Sequence, residues 1–438
     1  MLREVAQELY LYAYPIVLME ITRRQQTNFA EPGKRGAPMN QFLHSPKFPP
    51  AKFKGVVRAN HDTLYSNFWG DVSKEPLILS VPDTGDRYYL LQFLDLWTDV
   101  FESLGTRTTG NGAAEFALVG PGWDGDLPAH VTAIRAPTPH FWVIGRTQTN
   151  GKADYPNVHE IQAGFRLAPL SRWRSGGPAP EGPVHDDVDM ATPPVKQIRS
   201  LEAGEYFEWF AQLANQHPAH FNDYPLLHRV EMVTGWKPGE SLGFAALPNA
   251  VRTALAEVVE TARTRFPGGA ISQGSLVNGW HSANEGLGTY GTNYRARAAV
   301  ARMGLGANVP EDSTYPTAYV DEHGHKLDSA NRYVLHFERD QLPPVNAFWS
   351  VTIYNRDSFF IENEIDRYAL GDRDPMRYNH DGSLDIFIQA QRPDEHQVPN
   401  WLPSDPQGGP FSLTARLYWP KPEALGGSWH MPPVRRID

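Results

Sequence analysis

The chain has 438 residues, 41% of them hydrophobic and 12% aromatic, with a formal net charge of −10. That length exceeds what one compact core sustains, so two or three domains are expected. The acidic balance argues against general nucleic-acid binding, which needs basic patches to meet phosphates. The absence of cysteine excludes disulfides, thiol catalysis, thiolate zinc sites and iron–sulfur clusters.

Residues 2–21 read as a helix, because Val5, Leu9, Tyr12, Ile16 and Met19 recur at three- and four-residue spacing. Pro15 lies inside this pattern and is expected to kink or split it. Residues 22–57 are polar and proline-rich, which predicts a long loop. From 56 to 146 short apolar runs follow one another, at 63–69, 77–81, 88–94, 115–119, 130–134 and 141–144, separated by glycine-containing turns. Strands at about ten-residue spacing predict an antiparallel β-sandwich or barrel. Helical patterns follow at 158–165, 204–216 and 250–266, the last with Asn249 placed as N-cap. The run Gly286–Gly291 leads into a further helix at 293–303. The last third is β again, at 317–320, 333–337, 348–354, 384–388 and 412–419. The 37 glycines and 38 prolines punctuate most of the chain, which favours strands and loops over long helices. The expected organisation is a helix and loop (1–55), a β domain (56–200), a helical module (201–310) and a second β domain (311–438).

No stretch approaches the roughly 20 apolar residues of a membrane span. The chain opens directly in an amphipathic pattern, with no basic segment and apolar run of secretory type. It reads as cytoplasmic as it stands, and as periplasmic or exported if a leader has been removed.

Gly286-Leu-Gly-Thr-Tyr-Gly291 has the spacing of a dinucleotide-binding loop, but no βαβ unit surrounds it, so a glycine-rich helix start is the better interpretation. Tyr290, Asn293 and Arg295 still gather polar tips at that helix start, where free N–H groups suit a small anion. His323-Gly-His325 looks like a metal pair, but it falls in an expected hairpin turn, where polar residues gather for backbone reasons. His185-Asp-Asp-Val-Asp189 could ligate calcium but lacks the glycine and distal glutamate spacing of an EF-hand, so a solvated acidic loop is the better interpretation. There is no H-E-x-x-H, no G-x-S-x-G and no P-loop.

The stretch Arg58-Ala-Asn-His-Asp-Thr-Leu-Tyr-Ser-Asn-Phe-Trp69 stands out. As a strand it places Asn60, Asp62 and Ser66 on one face and His61, Thr63 and Tyr65 on the other. Polar groups on both faces fit either a network that holds a sheet or a site in which Asp62 is a base and Tyr65 a proton donor. Asp95 and Asp99 close an apolar strand, and Arg107 follows in a loop where it could face them or an acidic substrate. Tyr354 and Arg356 end a later strand, and Trp401 lies in a loop. Such side chains at strand ends suit a polar ligand.

Several of these motifs resemble, in this order, a bacterial two-domain family. They are Asn60-His-Asp-Thr-Leu-Tyr-Ser66, Arg87-Tyr-Tyr, Gly105-Thr-Arg107, Gly120-Pro-Gly-Trp, Tyr290-Gly-Thr-Asn-Tyr-Arg-Ala-Arg297, Pro344-Val-Asn-Ala-Phe-Trp-Ser-Val-Thr-Ile-Tyr354, Asp381-Gly-Ser-Leu-Asp-Ile386 and Asn400-Trp-Leu-Pro403. The family is the one built from the paired domains of unknown function 1254 and 1214. The resemblance implies a mainly β fold with a helical insert (α+β): an N-terminal antiparallel β-sandwich, a central helical module and a C-terminal jelly-roll-like β-sandwich. It also implies a homo-oligomer, and it carries no chemistry residue by residue.

The expectation from the residues is an enzyme of hydrolase or lyase type without a tightly held cofactor, acting on a polar small molecule in a cleft between two β domains. Asp62, Tyr65 and Arg107 would be catalytic. Asn60, Asp95, Tyr290, Asn293, Arg295, Tyr354, Arg356 and Trp401 would bind substrate. No metal is expected; a metal-dependent version would need His61 or His281 beside Asp62. The alternative is a non-catalytic protein of the same fold that binds a saccharide or another small molecule.

Overall fold

The computed structural model describes residues 2–175, 179–268 and 274–437. It is a mixed α/β fold with 20 strands in four sheets and eight α-helices among the described residues.

The first β region comprises β1 (Leu43–His44), β2 (Thr63–Asp71), β3 (Leu77–Val81), β4 (Tyr89–Asp95), β5 (Val100–Gly105), β6 (Ala114–Val119), β7 (Thr132–Arg135), β8 (His140–Gln148) and β9 (Arg166–Pro169). They form a five-stranded sheet in the order β1-β2-β8-β4-β5 and a four-stranded sheet in the order β7-β6-β3-β9. Alternation on β2, β4 and β8 sends Phe68, Leu91, Phe93, Phe141 and Val143 into one apolar cluster with Leu77, Leu79, Phe116 and Leu118 of the other sheet. Each such side chain contributes about 1.5–3 kcal/mol by leaving water. The opposite face of the five-stranded sheet is covered as well, so all seven residues of β4 are buried. Trp69, Leu94, Trp142 and Ile144 on that face join the core of the helices.

Helix α1 (Leu2–Thr27) is the axis of the helical region. It packs against α3 (Pro194–Ser200), α4 (Ala203–Gln216), α5 (Tyr224–Thr234), α6 (Asn249–Thr264) and α7 (Tyr294–Gly304), while α2 (Tyr155–Gly164) lies between β8 and β9 in sequence. Pro15 neither splits nor ends α1, contrary to the sequence expectation. A proline inside a helix costs about 3 kcal/mol. Burial of every residue from Leu9 to Thr22 offsets that cost, because neighbours surround the helix on all sides. Residues 22–27, expected as loop, continue the same helix. Asn249 is not the N-cap of α6: Pro248 takes that position, and the Asn249 side chain accepts from Arg252 instead.

The second β region comprises β10 (Ser275–Val277), β11 (Trp280–Ser282), β12 (Ser313–Thr314), β13 (Thr317–Ala318), β14 (Arg332–Phe337), β15 (Val345–Asn355), β16 (Ala369–Gly371), β17 (Leu384–Gln389), β18 (Trp401–Pro403), β19 (Phe411–Pro420) and β20 (Val434–Ile437), with the short α8 (Pro422–Leu425) before β20. One sheet runs β10-β11-β13-β19-β15-β16, with β12 also paired to β19; the other runs β18-β17-β14-β20. Val351, Ile353, Leu413 and Leu417 meet Leu335, Phe337, Ile386 and Ile388 in a common core. The alternate residues of the long β15–β19 ladder are Ser350, Thr352, Tyr354, Ser412, Thr414, Arg416 and Tyr418. All seven are buried, although all are polar. They form a polar wall that faces the first β region, and the functional question centres on what they meet there.

Candidate functional site

The segment from Arg58 to Thr63 lies against this wall. Asn60 ends the loop: its Oδ1 accepts from the backbone N–H of Asp62 at 2.6 Å and of Thr63 at 3.0 Å, a side-chain turn that launches β2. Its amide nitrogen donates to the Tyr418 hydroxyl at 2.6 Å. Asp62 is 1% exposed. Its Oδ2 accepts from the Ser350 hydroxyl at 2.8 Å, and its Oδ1 is ion-paired with Arg373. Arg373 also donates to the carbonyls of Asp62 and Thr149, each at 3.2 Å. Arg416 donates to Thr352, to the Tyr354 hydroxyl and to the Arg58 carbonyl. The Tyr354 hydroxyl in turn donates to the Ala59 carbonyl at 2.7 Å. Burial alone would raise the Asp62 carboxyl. Arg373, Arg416 and the Ser350 hydroxyl outweigh it and hold the group below its usual range.

Of the two readings that the sequence left open for this stretch, these contacts fit the network that holds a sheet: one oxygen of Asp62 is engaged by Ser350 and the other by Arg373. Asp62, Asn60 and Tyr354 join the two β regions.

The remaining expected residues do not converge on one place. Tyr65 lies opposite Arg146 on β8, and its hydroxyl accepts from Arg146 Nε at 3.4 Å. Arg107 does not face Asp95 or Asp99: it donates to Asp312 at 2.6 Å, and Asp312 is also held by Ser103. Asp95 pairs with His220 at 2.5 Å, beside Asp99 and Arg297. Tyr290 is buried close to Asp99 and Arg297. Asn293 caps α7 by accepting from the Ala296 N–H at 3.1 Å, so its side chain is spent on the helix. Arg295 is exposed, and Arg356 is exposed beside Asp357. Trp401 is a core residue whose indole N–H donates to the Gln389 carbonyl.

A cleft of about 390 Å³ does open between the two β regions. Asp62 forms part of its floor. His61, Thr149 and Lys152 line one side; Asp366, Tyr368, Arg373 and Asp374 line the other. His61 packs between Phe48, at 4.3 Å between ring centres, and the edges of Phe360 and Tyr368. Burial in this aromatic box pushes its imidazole down to about 4, so the ring is neutral near pH 7. Among the described residues its nitrogens make no hydrogen bond. Lys152 reaches across the cleft to an ion pair with Asp366, which also accepts from the Tyr368 hydroxyl. Burial raises the Asp374 carboxyl, even though the Gly371 N–H donates to it.

The sequence singled out His61 as one of the polar groups of this stretch and as a conditional metal ligand, without a catalytic role, and the opposite wall was missed. Lys152, Asp366 and Tyr368 stand in no motif. Gly371-Asp-Arg-Asp374 is the same kind of charged strand end as Tyr354-Asn-Arg-Asp357, and that likeness was the available signal. Among the described residues, no group of three or more His, Asp or Glu side chains is placed to hold a metal ion. No described helix is long and apolar enough to cross a membrane.

Two family models match the sequence. Protein of unknown function (DUF1254) covers residues 39–169, from the loop before β1 to the end of β9. Protein of unknown function (DUF1214) covers residues 312–422, from β12 to the start of α8. No curated protein matches. A crystal structure of a protein from Vibrio parahaemolyticus is similar over all of both chains, with a TM-score of 0.75 and 23% sequence identity. An uncharacterized protein from Burkholderia cenocepacia gives a TM-score of 0.44 at 13% identity, over 98% of this chain and 88% of the other.

Proposed function

We propose that this chain, which carries the paired DUF1254 and DUF1214 domains, is an enzyme that eliminates or hydrolyses a group on a small polar molecule bound in the cleft at His61. The supporting observation is His61 itself. A neutral imidazole with no protein hydrogen bond, in a cleft walled by two domains, is a proton acceptor without an assigned structural task. An anionic substrate beside it would raise its proton affinity. Arg373 and Lys152 line the cleft and are near enough to hold such a substrate, Lys152 by relaxing from its exposed pair with Asp366 and Arg373 while keeping Asp62. Asp374, whose raised carboxyl keeps a proton more readily than an ordinary aspartate, is the donor for a leaving group. The fold that would carry this site is a sandwich at each end. Each pair of sheets shares one apolar cluster, which supports that architecture.

The test is turnover of a panel of small hydroxy acids and esters by the wild type and by His61→Gln, which keeps the shape and removes the base. A loss of roughly 10²- to 10⁴-fold is expected for a general base. Equal rates in the two proteins would remove His61 from the mechanism. A second proposal, a non-catalytic small-molecule or saccharide binder, has its own support: Arg373 and Lys152 already have carboxylate partners. Saturable binding with no product after long incubation would favour it.

A further inference from the structure

We infer that Arg146 is the anchor of a second ligand site, one that takes the carboxylate of a small organic acid. The site lies beside Tyr65, along the same seam between the β regions.

Arg146 sits on β8 opposite Tyr65 of β2 and Leu90 of β4. It is only 8% exposed. The other deeply buried arginines have carboxylates in reach: Arg297 lies near Asp99 and Asp223, and Arg416 interacts with Asp62. The acids of the seam are already assigned, Asp62 to Arg373 and Asp312 to Arg107. Among the described residues Arg146 has no carboxylate partner. Its Nε donates to the Tyr65 hydroxyl, and its guanidinium lies 5.3 Å from that ring. Its Nη1 is sealed from solvent with no acceptor. A buried guanidinium left in this state is costly, and the cost disappears when an anion arrives.

The surroundings suit that anion. The Tyr65 hydroxyl accepts from Arg146, so its own proton is free to point elsewhere. Tyr315 and Tyr418 lie within electrostatic reach of the guanidinium. Tyr315 donates to Asn308 Oδ1 at 3.0 Å and shares a 2.6 Å hydrogen bond with Ser313. That orients the Asn308 amide, whose nitrogen is buried and has no acceptor. Two donors therefore wait for acceptors, Arg146 Nη1 and Asn308 Nδ2. Asn67, two residues beyond Tyr65 on the same strand face, has the complementary lack: its Oδ1 has no donor, which suits a hydroxyl. A planar carboxylate matches the fork of a guanidinium, and a neighbouring hydroxyl on the same molecule would meet Asn67. The first β region supplies Arg146 and Tyr65, the segment before β13 supplies Asn308 and Tyr315, and the second β region supplies Tyr418. Binding would therefore tie both regions together.

The experiment is thermal unfolding of the full chain titrated with sodium acetate, sodium lactate or inorganic phosphate, against sodium chloride at equal ionic strength. Acetate and lactate are expected to raise Tm by about 2 °C or more at saturation, with lactate acting at lower concentration. Phosphate should do no more than chloride. Arg146→Met should unfold cooperatively and lose the response, while His61→Gln keeps it, which separates this site from the cleft. If Arg146→Met does not fold, Arg146→Lys serves: the charge stays, the fork goes, and about tenfold more acid is needed. Three results would overturn the inference: no carboxylate response in the wild type, an equal response in Arg146→Met, or a response to phosphate alone. Failure of both variants to fold would mark Arg146 as a structural cation and overturn it as well.

Discussion

Asp62 and Asp99 are both carboxylates at seams of the first β region, in opposite electrostatic company. Asp62 meets the second β region, where Arg373 and Arg416 surround one carboxylate. Asp99 meets the helices, where Asp95, Asp99 and Asp223 share His220 and Arg297. Both are removed from water, yet their proton affinities diverge. The two arginines hold Asp62 below its usual range. Asp99 is pushed up to about 6, first by burial and then by Asp95, against the pull of Arg297. Burial raises both carboxyls; at Asp62 two arginines and a hydroxyl outweigh it, and at Asp99 the cations, shared with neighbouring carboxylates, do not.

The largest expected effect is at the fixed seam. Asp62→Asn leaves Arg373 and Arg416 without their carboxylate in the interior. Breaking one member of a buried pair costs about 3–5 kcal/mol. Guanidinium unfolding should show the midpoint fall by a corresponding amount. A change below about 1 kcal/mol would mean that the pair is hydrated in solution and that the contrast with Asp99 is not one of burial.

The helical seam should respond to pH. The folded carboxyl of Asp99, near 6, lies above the unfolded value of about 3.9. The folded state binds that proton more tightly. Its contribution is full below about pH 4 and is lost as pH rises through 6. Burial would lower His220, but Asp95 overrides it and raises the imidazole. Its contribution is full below about 6.5 and is lost as pH rises through its raised folded value. Asp62 runs the other way, contributing above about 3.9 and failing only in acid. Between pH 5 and 8 the helices should loosen while the joint between the β regions holds. The weakening over that window is about 1.4 kcal/mol from Asp99. Amide exchange in α4 and α7 should accelerate with pH beyond its intrinsic rate, and Asp99→Asn should flatten that profile. An unchanged profile in the variant would mean that Asp99 is ionised throughout.

This contrast was only half visible in the sequence. The strands were legible because alternation and glycine turns are local. The prediction of 63–69 became β2, that of 77–81 became β3, and that of 412–419 became β19. β5 was hidden, since Glu102 and Ser103 interrupt its apolar pattern, and Ser103 is explained only by its tertiary contact with Asp312. Asp62, Asp95 and Arg107 were recognised as polar groups in unusual places. Their partners lay beyond reading: Arg373, His220 and Asp312 are between 125 and 311 positions away and share no motif with them. Pro15 misled for the same reason, because the packing that tolerates it comes from helices more than 170 residues later. Arg146 gave no signal at all, since the lack of a partner cannot be read along a chain.

A smaller effect separates the hydrogen bonds of the fixed seam from its charges. Tyr354→Phe removes the hydroxyl that links Arg416 to the Ala59 carbonyl and leaves the ion pair in place. A cost of about 1–2 kcal/mol is expected, the penalty for leaving those partners unsatisfied. Double-mutant analysis with Asp62→Asn should give a coupling of at least about 0.5 kcal/mol, because Arg416 donates to Tyr354 and lies within electrostatic reach of Asp62. Additive losses would mean that the arginine reorganises freely once either partner is gone.

The smallest effect belongs to a charge outside both seams. Arg356 was a candidate for holding substrate, and it stands beside Asp357 at 3.7 Å with most of its side chain in water. Solvent screens such a pair and the side chain's freedom opposes it. Arg356→Ala should leave unfolding midpoint, pH profile and turnover unchanged. The comparison sharpens here, because Arg356, Arg373 and Arg146 carry the same charge and differ only in surroundings. One is exposed, one is buried with a partner, and one is buried without. If Arg356→Ala matched Arg146→Met in removing a carboxylate response, the response would come from general positive charge rather than from a formed site. A response lost only in Arg146→Met would tie it to the guanidinium that the fold has left without a partner.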